Sequence, residues 1–263
     1  MIRVIVTGAL GRMGREVSAA LNADPEIEVV GGVDPRASAA DAPAPGVPGL
    51  PVSTDLAAMI DQVSPQIMVD FTHADGAIQN IRTALSKGVS PVVGTSGITP
   101  AQVAETEKLA AAAGIGALIA PNFAIGANLM VHFARIAARF MPAAEVIELH
   151  HDGKVDAPSG TAMSTAAEMV AARGEAFSDP PTTKWNSEGA RGAVEGGVRI
   201  HSVRLPGLVA HQEVIFGGAG QILTIKHDSI SRESFMPGII YGVKETSKRK
   251  GLVYGLDRLM GLA

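Results

Sequence analysis

Short apolar runs alternate along this chain with longer stretches of helical spacing. Residues 2–7 (IRVIVT) are rich in β-branched side chains and predict a buried strand. A turn from 8 to 14 leads into helical periodicity that runs to about residue 21. Further strands are predicted at 27–33 (IEVVGGV), 66–72 (QIMVDFT), 90–94 (SPVVG) and 115–120 (IGALIA). Helical segments intervene at 76–87 and from Thr99 onward, where Thr99 is suited to cap a helix and Pro100 to open it. Strands alternating with helices predict an α/β domain with a doubly wound parallel sheet. The stretch 35–51 is dense in Pro and Ala and predicts a flexible loop.

The rhythm changes after about residue 123. A helix is predicted at 127–140, a strand at 145–151 (EVIELHH) and a helix at 161–173. A long polar loop (174–196) precedes three strand-like runs near 197–204, 210–216 and 220–227. Strands in succession predict a mixed or antiparallel sheet, and so a second, α+β domain. The last helix, 233–248, and the tail are expected to return to the first domain, whose sheet still lacks cover.

Composition narrows the function. The chain has 263 residues, 46% of them hydrophobic, enough for a sizeable core and too many for a disordered chain. Its net charge is −4 and its basic residues are scattered, which argues against a nucleic-acid partner. No apolar run reaches the length of a membrane span, and the start of the chain does not read as a signal peptide. There is no cysteine, which excludes a disulfide scaffold, a thiolate metal site and a cysteine nucleophile, and fits a cytoplasmic location. The histidine spacings offer no metal triad, so no metal is expected.

Gly8, Gly11 and Gly14 follow the first strand and open a helix. This G-x-x-G-x-x-G spacing is a variant of the dinucleotide-binding fingerprint. Gly8 allows the tight turn, Gly11 lets backbone approach a pyrophosphate, and Gly14 lets helix and strand pack closely. The helix N-terminus then offers N–H groups and a favourable dipole to phosphate. Asp34 ends the second strand, where a carboxylate accepts from ribose hydroxyls. Asp34 favours NADH, whereas Arg12 and Arg36 are placed to pair with the extra phosphate of NADPH. Both arginines could equally be solvated surface groups, so NADH and NADPH both remain candidate cofactors. The expected boundaries are a dinucleotide-binding domain over 1–123 and 231–263, and a substrate-binding and oligomerisation domain over 124–230.

The second chemical signal is residues 148–161, ELHHDGKVDAPSGT. Two histidines end a strand, a lysine follows, and Ser-Gly-Thr opens a helix. A histidine titrates near neutral pH and can act as a general acid. Lys154 supplies a cation and a proton, and the Ser159-Gly160-Thr161 turn supplies hydroxyls and amides to an anion. Neighbouring strand residues face opposite ways. His150 and His151 therefore share a pocket only if the strand ends or bulges there; otherwise one is functional and the other a surface residue.

These residues resemble the signature of the dihydrodipicolinate reductase family, E-L-H-H-x-x-K-x-D-A-P-S-G-T, and the resemblance covers essentially the whole chain. Supporting segments are the turn formed by Gly8, Ala9, Leu10, Gly11, Arg12, Met13 and Gly14, the run Asp70-Phe71-Thr72, the run Gly94-Thr95-Ser96-Gly97, and the run Ala120-Pro121-Asn122-Phe123. An R-x-x-G…H-x-E-V-x-F stretch at 204–216 is similar too. The resemblance implies NADH- or NADPH-dependent reduction of 4-hydroxy-tetrahydrodipicolinate, a small dicarboxylate, in diaminopimelate–lysine biosynthesis. It assigns His150 as the proton donor/acceptor and Lys154 as a second proton donor. His151, Gly160 and Thr161 would bind substrate with Ser159 assisting. Gly8, Ala9, Leu10, Gly11, Arg12, Met13, Asp34, Gly94, Thr95, Ser96, Ala120, Pro121, Asn122 and Phe123 would contact the nucleotide. It further implies a homotetramer, and an active site in a cleft between the two domains.

Three features depart from the family pattern. Ser96 stands where Thr is usual, Asp152-Gly153 fill a spacer that carries another histidine in several relatives, and Asp34 replaces the commoner Glu. Two rival functions remain: another amino-acid dehydrogenase on the same fold, such as an aspartate or homoserine dehydrogenase, and a non-catalytic NAD-binding protein. The 148–161 run argues against both. Of the other histidines, His73 is a candidate for nucleotide proximity and His132 for packing or an interface, while His201, His211 and His227 are expected to be structural. Trp185 is expected to anchor a loop or an oligomer contact.

Overall fold

The computed structural model describes residues 1–37 and 47–262. Most of the predicted 35–51 loop thus lies outside the described residues. The chain divides into two compact units, one made of Met1–Ile125 with Arg232–Ala263, the other of Gly126–Ser231.

The first unit is built on β1 (Ile2–Thr7), α1 (Arg12–Ala23), β2 (Ile27–Val33), β3 (Val52–Ser53), α2 (Leu56–Val63), β4 (Ile67–Asp70), α3 (Ala74–Ser86), β5 (Ser90–Val93), α4 (Pro100–Ala113) and β6 (Gly116–Ile119). After the second unit the chain returns with α7 (Met236–Thr246), β12 (Gly251–Tyr254) and α8 (Leu256–Leu259). The seven strands form one parallel sheet in the order β12-β6-β5-β4-β1-β2-β3. The chain steps outward from β1 to one side and then resumes beside β1 on the other, which makes β1 and β4 flank the switch point of a doubly wound sheet. Register aligns the strand ends in a row: Val33 with Thr7, Thr7 with Asp70, Asp70 with Val93, and Val93 with Ile119. Each turn that follows leaves from this one edge.

Local chemistry explains most element ends. Thr99 accepts from Gln102 N while the Gln102 side chain bonds back to Thr99 N, a capping box before Pro100. The first-unit core is aliphatic, with Val4, Val6, Val17, Leu21, Ile67, Val69, Val92, Leu118, Ile239 and Val243 all buried. Two details differ from the sequence reading. Helix α1 begins at Arg12 with Gly11 as N-cap, so Gly14 lies inside its first turn rather than before it. The predicted 233–248 helix opens as a 3-10 turn over Arg232–Phe235 and becomes α-helical only at Met236. Pro237 has no N–H and clashes with a preceding helical carbonyl, so it is accommodated only in the first turn.

The second unit holds α5 (Ile125–Ala138, its first residue at the boundary), β7 (Ala143–His150), α6 (Gly160–Arg173), β8 (Ala193–Glu195), β9 (Val198–Arg204), β10 (Ala210–Gly218) and β11 (Gln221–Ser229). Its sheet runs β11-β10-β7-β9-β8, with β7 and β9 parallel and the other pairs antiparallel. The mixed sheet expected from the sequence is present. The 174–196 segment is not wholly a loop. Its end forms β8, joined to β9 through Gly196 and Gly197, both with positive φ (52° and 84°). A two-residue hairpin turn of this hand requires such angles, which glycine adopts without strain. The core beneath the sheet packs Val146, Val198, Ile200, Val214 and Phe216 against Ala162, Ala166 and Met169 of α6.

Candidate active site

At the switch-point edge of the first sheet, the glycine turn has the geometry a dinucleotide needs. Gly8 has φ +74°, where side chains are disfavoured. A Cβ on Gly14 would stand 2.1 Å from the Gly8 carbonyl oxygen, so only glycine allows α1 this close to the turn. No side chain caps α1, and its first turn holds no acid, which leaves its N-terminal dipole available to an anion. The residues therefore fit the phosphates of a nucleotide.

Asp34 sits at the adjacent turn with its carboxylate buried. It accepts from Leu10 N (3.0 Å) of the glycine turn, from Arg36 N (3.0 Å), and from Arg36 Nε and Nη2 (both 2.9 Å). The Arg36 fork holds the Asp34 carboxyl below the usual range, against the opposing effect of burial. The sequence reading treats Asp34 as free for ribose and Arg36 as free for phosphate; the structure pairs them. A ribose hydroxyl would have to share Asp34 with Arg36. Arg12 is exposed at the start of α1.

The remaining turns are organised by a residue that the sequence reading does not single out as a functional group. Asp70, at the end of β4 and fully buried, accepts from Thr7 Oγ1 (2.6 Å), Asn80 Nδ2 (2.7 Å), Thr72 N (3.0 Å), Thr72 Oγ1 (2.8 Å) and Thr95 Oγ1 (2.8 Å). It ties the turns after β1, β4 and β5 together. Gly94 lies under Phe71, whose ring would be 2.2 Å from a Cβ there. The Phe71 and Phe123 rings meet at 5.9 Å. Ala9, Ala120 and Phe123 are buried, so they can offer a nucleotide only their backbone. Ser96 and Pro121 are exposed, and Asn122 Oδ1 accepts from Ala124 N. His73 is exposed at the N-cap of α3, making no side-chain cap.

The second unit carries the His-His-Lys run. Along β7, Ala144, Val146 and Glu148 alternate onto the buried face, so a carboxylate is driven beneath the sheet. Glu148 is fully buried and fully engaged. Its Oε1 accepts from Ser159 N (3.1 Å) and Arg204 Nη2 (2.8 Å); its Oε2 accepts from Arg204 Nη1 (2.9 Å) and lies 2.5 Å from His150 Nδ1. Burial raises the Glu148 pKa, but hydrogen bonds from Arg204, Ser202 and His150 outweigh it and hold the carboxyl below its ordinary value. Glu148 is therefore a carboxylate, and His150 Nδ1 must be the donor. Burial lowers the His150 pKa and outweighs the attraction of Glu148, with Lys154 and Arg204 adding to the depression.

The strand ends at His150, and His151 lies exposed beyond it, so the alternation rule does not separate the pair. Lys154 Nζ donates to Asp156 Oδ1 at 2.7 Å. Arg204 Nη2 also donates to the Asp156 carbonyl at 2.7 Å, tying the loop back to β9. Ser159 is buried and caps α6, its Oγ accepting from Ala162 N. That makes it a shaper of the turn. Gly160 and Thr161 are exposed, and a Cβ on Gly160 would meet nothing within 4 Å, which leaves open space over the helix start. Below it, Gln212 Nε2 donates to Thr165 Oγ1, and Thr165 Oγ1 donates to the Thr161 carbonyl, bracing that turn from the sheet.

Glu148 and Arg204 are the functional residues that sequence reasoning misses as such. The available signal is a carboxylate in phase with Ala144 and Val146. Of the three histidines expected to be structural, His201 Nε2 is 2.7 Å from Glu145 Oε2 and His211 Nδ1 is 2.7 Å from Asp228 Oδ1, while burial lowers the pKa of His227. Among the described residues no three His, Cys, Asp or Glu side chains could hold a metal ion, and no helix is long and apolar enough to cross a membrane.

A parallel doubly wound unit with this glycine turn, joined to a unit carrying an imidazole and a lysine, places the chain among the dinucleotide-binding oxidoreductases. The chain belongs to the dihydrodipicolinate reductase family. The family's N-terminal model matches residues 2–123 and its C-terminal model residues 126–260. The chain is 51% identical to the 4-hydroxy-tetrahydrodipicolinate reductase of Dehalococcoides mccartyi strain 195 over 99% of both chains. It is 52% identical to that of Moorella thermoacetica over 98% of both. A solved structure described as dipicolinate-bound dihydrodipicolinate reductase from Paenisporosarcina sp. TG-14 superposes with a TM-score of 0.89, at 40% identity, covering 98% of this chain and 99% of that one. An amine dehydrogenase from Mycobacterium smegmatis, 17% identical with a TM-score of 0.66 over 98% of this chain and 95% of its own, shares the fold.

Proposed function

We infer that the protein reduces 4-hydroxy-tetrahydrodipicolinate, by way of dihydrodipicolinate, to tetrahydrodipicolinate with NADH or NADPH, in the diaminopimelate–lysine route. The observation that carries this reading is the pair of buried Glu148 and partly exposed His150 beside Lys154 and an open helix start, in a chain half identical along its length to proteins of that name. When bound, the reduced nicotinamide supplies the hydride, to C4 of the ring once the 4-hydroxyl has left as water.

The chain's own residues do the rest. The turn from Gly8 to Met13 holds phosphates through its backbone and the α1 dipole. Asp34 and Arg36 meet the ribose, and the backbone of Gly94, Thr95, Ser96, Ala120, Pro121, Asn122 and Phe123 lines the same edge. His151, Lys154 and the Gly160 and Thr161 groups bind a dicarboxylate, for which a single cation would not suffice. Ser159 holds that turn. Protonated His150 gives a proton to the enamine that hydride addition leaves, with Lys154 assisting. The Paenisporosarcina relative holds dipicolinate, a flat dicarboxylate, which supports a ligand of that chemistry here. The protein works in the cytoplasm as a homotetramer. Ile222 and Leu223, 76% and 42% exposed on the edge strand β11, support assembly through the second sheet.

The test is NADH and NADPH oxidation with substrate made freshly from aspartate semialdehyde and pyruvate. His150→Gln is expected to lower kcat by roughly 10²–10⁴-fold with nucleotide affinity kept. An inactive wild-type protein that still binds nucleotide would favour the non-catalytic reading.

A further inference from the structure

We propose that Glu148 is a positioning residue for the reaction, one that fixes His150 as the Nδ1–H tautomer so that Nε2 is the atom that exchanges the proton. This rests on the reading of His150 as proton donor given above. Three observations carry it. Glu148 is buried without solvent access, and both of its oxygens are committed: two Arg204 nitrogens and Ser159 N hold them in place. A carboxylate clamped in this way is a fixed acceptor, so the ring that meets it must present N–H on Nδ1. The contact is 2.5 Å, a short charge-assisted bond.

The same carboxylate joins the proton donor to the substrate-binding turn. Ser159, whose N–H Glu148 accepts, caps α6 immediately before Gly160 and Thr161. Arg204 also ties down the Asp156 carbonyl, and Asp156 receives Lys154. One buried group thus sets His150, the loop and the helix start in a common frame. The charged groups around His150 are Glu148 on its own strand, Lys154 in the loop and Arg204 on β9. Its partner on β10 is the uncharged Ala210, and the first turn of α6 holds no acid. Glu148 is the neighbour that favours the imidazolium, and the two cations oppose it.

Long-range ¹H–¹⁵N NMR of the ¹⁵N-histidine-labelled wild-type protein, with His150→Gln to assign the signal, reads the tautomer directly. The neutral ring is expected to carry its proton on Nδ1; a proton on Nε2 overturns the proposal without any variant at 148. Glu148→Gln is then expected to shift the ring toward the Nε2–H form. It should also move the alkaline limb of the kcat profile to lower pH by about one unit or more, because an opposite charge has been removed. The KM for nucleotide should stay constant. A folded Glu148→Gln protein with the wild-type limb and tautomer overturns the proposal as well. If His150→Gln kept full kcat, the functional reading would fail while the tautomer measurement still stood.

Discussion

Replacing Asp70 with Asn tests whether one carboxylate organises the nucleotide edge. The side chains are nearly equal in volume, so the change is electrostatic. In the structure Oδ1 takes three donors and Oδ2 takes two, at 2.6–3.0 Å. Asparagine best places its oxygen at the Oδ1 position, keeping Thr72 and Thr95 as partners. Its NH₂ then faces Thr7 Oγ1 and Asn80 Nδ2. Thr7 can turn a lone pair toward it and Asn80 can flip its amide, so neither need be left unpaired. All five bonds nevertheless lose charge assistance, at about 1 kcal/mol each, the difference between bonds to charged and to neutral groups. The neutral amide costs less to desolvate, which offsets part of that ceiling. A net loss of about 2–4 kcal/mol is expected, a fall in Tm of roughly 5–12 °C for a chain of this size. Differential scanning calorimetry measures it, and titration with NADPH should show weaker binding because a neutral amide oxygen holds Thr72 and Thr95 less firmly than the carboxylate does. If Tm fell by less than about 2 °C and NADPH bound as before, Asp70 would not be the organiser.

Thr161→Val removes a hydroxyl and keeps the shape, so pyridine-2,6-dicarboxylate should bind about tenfold more weakly by calorimetry, with nucleotide binding to the empty enzyme kept. Asp34→Ala should weaken NADH more than NADPH in fluorescence titrations, because only NADH leaves both ribose hydroxyls for the carboxylate; equal losses would place Asp34 away from the ribose. Acid should destabilise the second unit in two stages. The folded His150 pKa is depressed below 6.5 and the folded Glu148 pKa below 4.5, so each group binds fewer protons folded than unfolded. Their contributions are present above those values and are lost as pH falls through the folded ones, His150 first. Urea unfolding followed by Trp185 fluorescence against pH reads this, and His150→Gln should flatten the upper stage.

The sequence by itself determined whatever depends on near neighbours. Residues 2–7, 27–33 and 115–120 are short, largely apolar runs that read as buried strands, and Thr99-Pro100 carries its own helix start. Gly8 and Gly14 announce the turn because the constraint is steric and local. The His-His-Lys run is legible for the same reason, its members lying within five residues. What escapes is set by distance along the chain or by too few residues to show a period. β12 has four residues, and its partner β6 lies more than 130 positions earlier, so nothing near it marks a strand. Helix α2, eight residues between the Pro-rich stretch and β4, is too short to announce itself. Glu148 reads as one more charge until the sheet buries it and Arg204 arrives from 56 positions away. Burial decides that pair: removing water makes an unpaired carboxylate untenable, and only the packed sheet can supply the cation. Asp34 and Arg36 are two residues apart, yet their pairing too was settled in three dimensions, where the end of β2 buries the carboxylate beside Leu10 and leaves the guanidinium the room to fold back over it.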